Sequence, residues 1–109
     1  MAEGYEPKPT CEAKVVFEET DQTYNMTTTV IANNHCVNVS VLRESGNQTS
    51  SGWTYFAAIP QGYSPKKTIT AYFISEYGSV IRFRVASNGG TAIYSIPNGQ
   101  IGCSISYPI

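Results

Sequence analysis

The side chains best suited to acid–base or nucleophilic chemistry are few in this chain, and their spacing does not assemble a catalytic site. His35 is the sole histidine. A histidine-based triad needs it beside a correctly placed nucleophile and acid. It lies in an Asn33-Asn34-His35 turn, where a solvated loop histidine is expected. Glu18, Glu19 and Asp21 cluster at a strand end. A glycosidase holds two carboxylates about 5–10 Å apart across a cleft, whereas an acidic run near a turn reads as a solvated charge patch. Glu12, Glu44 and Glu76 read as isolated surface acids. The three cysteines, Cys11, Cys36 and Cys103, are an odd number, and none is close enough to another for a zinc knuckle. They read as small buried hydrophobes, with room for at most one bridge. No glycine loop of the phosphate-binding type is present. The expectation is a non-enzymatic protein without cofactor or metal.

Binding chemistry is better represented. Eight tyrosines, four phenylalanines and one tryptophan make the chain 12% aromatic. Tyrosine combines a flat apolar ring with a hydroxyl, which suits both sugar stacking and subunit contact. Tyr72 falls on the Thr68/Thr70 face of its strand, with Tyr94 expected across from it. Tyr77 sits in a Glu76-Tyr77-Gly78 turn with no obvious core to enter. Arg82 and Arg84 project from one face of one strand, and a guanidinium fork suits carboxylate or phosphate. Asn88 tips an Asn88-Gly89 turn. Tyr72, Tyr77, Arg82, Arg84 and Asn88 are therefore the candidate ligand-binding residues. Charged residues are only 14%, the net charge is −1, and the seven Lys and Arg are scattered. A nucleic-acid binder normally carries a basic stripe. A weakly charged surface rich in Ser, Thr and Asn suits sugars or subunit contact better. Sequon-like triplets at Asn25, Asn38 and Asn47 are read as chance in a chain so rich in Ser and Thr.

These residues hang on strands. Val37, Val39 and Val41 alternate with Asn38 and Ser40; Ile81, Phe83 and Val85 alternate with Arg82 and Arg84; Ile101, Cys103, Ile105 and Tyr107 alternate with Gly102, Ser104 and Ser106. The same period of two runs through Val15/Phe17 and Ile69/Ala71/Phe73 and marks strands with one face in a core. Residues 26–32, 53–59 and 92–96 supply three more. No segment has a helical period, and no apolar run approaches the 18 residues of a membrane span. The chain is predicted to be all-β, an antiparallel sandwich or jelly-roll-like domain of about eight strands. Its 109 residues suffice for one core. Residues 11–109 form the domain. Residues 1–10, charged and proline-bearing with no secretion signal, are expected to be an extended linker from an upstream shaft. Asn88-Gly89 and Asn98-Gly99 each predict a tight hairpin, placing the last three strands in one meander. Cys36, Trp53 and Cys103 follow the immunoglobulin order, but Ile101 stands where the tyrosine corner belongs, so that fold is rejected.

One stretch is distinctive: Gly52-Trp53-Thr54-Tyr55-Phe56-Ala57-Ala58-Ile59-Pro60-Gln61-Gly62-Tyr63-Ser64-Pro65. Trp53, Tyr55, Ala57 and Ile59 are expected on one face, with Trp53 packed inward. Gly62 is expected to take a positive φ in the turn after Pro60. With Ser87-Asn88-Gly89-Gly90-Thr91 and Ile105-Ser106-Tyr107-Pro108, the ordered set resembles the C-terminal head domain of phage and prophage tail-fibre, head-fibre and receptor-binding proteins of Gram-positive bacteria. The resemblance covers residues 52–109. Ser64 stands where that family usually has Arg, so the Arg's role does not carry over. The resemblance implies a homotrimer at the tip of a virion fibre, made in the bacterial cytoplasm and adhering to a bacterial surface polysaccharide. Ile101 to Tyr107, or the Arg82/Arg84 face, is expected near the threefold axis. Two alternatives stay open: a purely structural trimerisation or capping head, and a carbohydrate-binding module of a secreted bacterial protein.

Overall fold

The computed structural model describes residues 13–49 and 52–109, so the expected linker and Cys11 lie outside the described residues. Among the described residues eight strands form: β1 (Lys14–Asp21), β2 (Met26–Ala32), β3 (Cys36–Arg43), β4 (Trp53–Ala58), β5 (Ile69–Ile74), β6 (Val80–Val85), β7 (Gly90–Tyr94) and β8 (Ile101–Pro108). They make two four-stranded antiparallel sheets, β1-β2-β3-β8 and β4-β7-β6-β5. The protein is the all-β sandwich that the period of two predicts.

The core lies between the sheets. Val37, Val39 and Val41 of β3 face it with Ile101, Cys103, Ile105 and Tyr107 of β8; opposite them stand Ile81, Phe83 and Val85 of β6 and Ile93 of β7. In β3, β6 and β8 the alternation in the sequence is the alternation in burial. Burial pushes the Cys103 thiol and the Tyr107 phenol up to about 12 each, because apolar surroundings disfavour both anions. Cys36 is free and exposed at the start of β3, contrary to the expectation of burial, while Cys103 is free and buried.

Two bulges correct the expected faces. The β1–β2 register shifts between Val15 and Phe17, so Val15 is exposed while Val16 and Phe17 pack on the core. The β4–β7 register shifts between Tyr55 and Ala57. Here an extra residue reverses the parity of the strand. Phe56 and Ile59 turn inward, and Trp53 and Tyr55 turn to the outer face of the sheet. Trp53 and Tyr55 therefore do not share a core face with Ile59.

The expected β7–β8 hairpin also gives way. Both edges of β7 are already taken, by β4 and β6, so no edge is left for β8. The chain crosses to the other sheet instead and β8 pairs with β3 over its whole length. Ser95 takes a positive φ at the start of this crossing. The β6–β7 hairpin forms as expected, closed by Gly89 N–H donating to the Ala86 carbonyl and Ala86 N–H to that of Gly90.

The corner after β4 is a turn in which Tyr63 N–H donates to the Pro60 carbonyl at 3.1 Å. Gly62 has φ +98° there, and a Cβ would meet nothing within 4 Å. Gly62→Val should destabilise by roughly 1–3 kcal/mol through backbone strain alone. Denaturant titration checks this, and an unchanged midpoint would show that the corner carries no such requirement. Tyr107 Oη donates to the Tyr63 carbonyl and ties β8 to this corner.

Candidate functional site

The outer face of the β4-β7-β6-β5 sheet carries an ordered group of aromatic and arginine side chains. Cross-strand register sets them in rows. One row runs Trp53, Tyr94, Arg82, Tyr72 across all four strands; the next runs Tyr55, Ala92, Arg84, Thr70. Trp53 and Tyr94 meet edge to face, with ring centroids 5.3 Å apart. The Arg82 guanidinium lies 4.8 Å from the Tyr94 centroid, and that of Arg84 lies 3.8 Å from the Trp53 centroid. Arg84 reaches Trp53 across β7, over the small side chain of Ala92. Its Nη1 also donates to Tyr55 Oη at 3.3 Å, while its Nε is buried without a partner.

Each contact of this kind stabilises by about 0.5–2 kcal/mol, depending on desolvation. Together they hold both guanidinium planes against rings and restrict their rotamers. Neither arginine forms an ion pair among the described residues. The outward positions of β5 and β6 are Thr70, Tyr72, Ile74, Val80, Arg82 and Arg84, so the two strands place no acid on this face. Tyr72 is 65% exposed and Tyr55 53%, which leaves two ring faces open to solvent beside fixed cationic donors. The chemistry available is stacking on flat apolar rings plus charge-assisted hydrogen bonding.

Of the five residues that the sequence singles out, the structure brings Tyr72, Arg82 and Arg84 together. Tyr94 is not directly across from Tyr72, because Arg82 stands between them in the row. Tyr77 and Asn88 lie elsewhere. Tyr77 is in the β5–β6 turn at one end of the sandwich, and Asn88 is in the β6–β7 turn at the other. Asn88 Oδ1 accepts from Gly90 N–H at 3.0 Å and so shapes its own turn. Sequence reasoning misses Trp53 and Tyr55, which it assigns to the core face. The signal was present: Tyr55-Phe56 breaks the alternation of β4 with adjacent aromatics, as a bulge does.

Two of the acids near the β1 end have structural partners. Asp21 Oδ1 accepts from Thr23 and Tyr24 N–H groups, and Glu18 accepts from Thr29 Oγ1. The turn at His35 is organised by Asn33 Oδ1, which accepts from the His35 and Cys36 N–H groups. Among the described residues no group of three or more His, Cys, Asp or Glu is placed to hold a metal ion.

Compared with known proteins, the chain matches no protein-family model and no curated sequence.

Proposed function

We propose that this chain is a non-enzymatic head domain of a phage or prophage fibre, homotrimeric and carried on the virion, that attaches to a bacterial surface polysaccharide through the outer face of its β4-β7-β6-β5 sheet. The observation that carries the proposal is the Trp53–Tyr94–Arg82–Tyr72 row with Arg84 beside it. Sugar rings stack on exposed aromatic faces, and the guanidiniums supply donors that no carboxylate among the described residues occupies. A hydrogen-bonded sheet fixes the backbone beneath these groups and so lowers the ordering cost at binding. The resemblance of residues 52–109 to fibre heads supports the context. The net charge of −1 favours a glycan over nucleic acid. One such site is weak, and copies in a trimer and on a particle supply avidity.

A second reading has its own observation. Ile74 and Val80 are a cross-strand pair on the same face, 70% and 56% exposed, beside Tyr72. An apolar patch of this kind suits subunit contact, and a capping head that binds nothing would use the face in this way. Adsorption of labelled protein to bacterial cells and purified wall polysaccharide separates the two. Arg82→Ala and Tyr72→Ala should each weaken adsorption about tenfold or more, a loss of about 1.4 kcal/mol per site, with the trimer intact by light scattering. A folded trimer that adsorbs to none of the walls tested would favour the capping head.

A further inference from the structure

At one end of the sandwich, away from the arginine face, three connections converge around a groove of about 750 Å³: the β3–β4 loop, the β5–β6 turn and the β7–β8 crossing. We propose that this groove is a second binding site, and that its ligand is a neutral saccharide.

The groove is built rather than incidental. Beneath it lies the Arg43 side chain, only 2% exposed. Its Nε and Nη2 donate to the Gly99 carbonyl at 3.0 and 2.8 Å, Nη1 donates to that of Asn47 at 3.4 Å, and Nη2 also donates to that of Pro97. One guanidinium thus ties two of the loops together. The backbone adds Gly99 N–H to the Gly46 carbonyl at 2.9 Å. Asn98 Oδ1 accepts from Gln48 N–H at 2.8 Å. The third wall is fixed by Glu76 Oε1, which accepts from Gln100 N–H at 2.7 Å. A pocket pre-formed by such bonds loses little entropy when it fills.

The lining then states the ligand class. Tyr77 presents a ring that is 72% exposed, and it closes on Gly99, where a Cβ would come within 2.6 Å of the ring. The lining also includes Asn47, Ser79 and Glu76, whose side-chain amide, hydroxyl and second carboxylate oxygen have no partner within the described residues. A flat ring ringed by amide, hydroxyl and carboxylate groups suits a pyranose, whose apolar face stacks while its hydroxyls both donate and accept. An anionic sugar is disfavoured. The one carboxylate in the lining is Glu76, and the nearby cation, Arg43, is buried with its donors turned onto carbonyls. The groove therefore selects a different chemistry from the arginine face.

The test is a nitrogen-15 amide shift titration of the folded domain with glucose, galactose, rhamnose and N-acetylglucosamine, with glucuronate as the charged comparison. At least one neutral sugar should shift the amides of Asn47, Gln48, Tyr77 and Gly99 saturably, with a dissociation constant on the order of millimolar. Tyr77→Ala should weaken that binding about tenfold or more, which is about 1.4 kcal/mol, while Arg84→Ala leaves it unchanged. The proposal is overturned if no neutral sugar shifts these amides, if Tyr77→Ala retains full binding, or if glucuronate binds here as tightly. Any of those results leaves the arginine-face proposal standing, because that face is read separately by adsorption of the Arg82 and Tyr72 variants.

Discussion

Replacing Arg43 by Met should lower the unfolding free energy by about 3 kcal/mol or more, making it among the most damaging single changes to a polar residue. Arg43 is 2% exposed and satisfies the carbonyls of Asn47, Pro97 and Gly99. Burial pulls its pKa down from the ordinary value by desolvation, yet a guanidinium stays charged at any physiological pH. Methionine keeps most of the volume and removes every donor. The carbonyls then lose charge-assisted bonds, each worth about 1.5–3 kcal/mol. Lysine should not rescue the loss, since a point charge cannot reproduce a planar fork spanning two loops. Urea unfolding of both variants checks this. A loss below about 1 kcal/mol in Arg43→Met would mean that the loops hold without the clamp.

Phe83→Ala should cost about 3–5 kcal/mol. Phe83 is fully buried in β6, pairs with Ile93 of β7 and Ala71 of β5, and is among the largest fully buried side chains of the core. Its removal leaves a cavity between two sheets that cannot close without shifting a ladder of backbone bonds. Phe73, on edge strand β5, is only half-buried. Phe73→Ala should therefore cost less, about 1–2 kcal/mol. The same urea measurement compares them. Equal losses would place the centre of the core nearer β5 than the burial pattern does.

Where a strand is regular and one face is buried, the sequence reads directly. The valines of β3, the Ile81-Phe83-Val85 set of β6 and the Ile101 to Tyr107 set of β8 all lie inside as their parity predicts. Parity fails at the two bulges, because an inserted residue reverses every face beyond it, and in β4 its one mark is the adjacent pair Tyr55-Phe56. That failure hid Trp53 and Tyr55. Tyr72, Arg82 and Arg84 were legible as outward residues of regular strands, whereas Trp53 and Tyr55 were not, being on the bulged strand. The Asn98-Gly99 turn misled for a different reason. A local turn signal cannot report that β7 already has a neighbour on each side. The groove at the loop end was the least legible feature, since its lining comes from three segments far apart in sequence. Only Tyr77 stands out there in the sequence, because its turn offers the ring no core.

Trp53 is a built-in reporter of polysaccharide binding to the β4-β7-β6-β5 face. It is the sole tryptophan, and it lies on the proposed binding face beneath the Arg84 guanidinium. Its emission is therefore a direct reporter of events on that face. Fluorescence should be followed while the folded protein is titrated with purified wall polysaccharides from a panel of Gram-positive bacteria. A saturable change in Trp53 emission is expected with at least one polysaccharide, strongly weakened in Arg82→Ala and Tyr72→Ala. Binding of a polysaccharide detected by calorimetry with no change in Trp53 emission, and with full affinity in both variants, would contradict binding at that face.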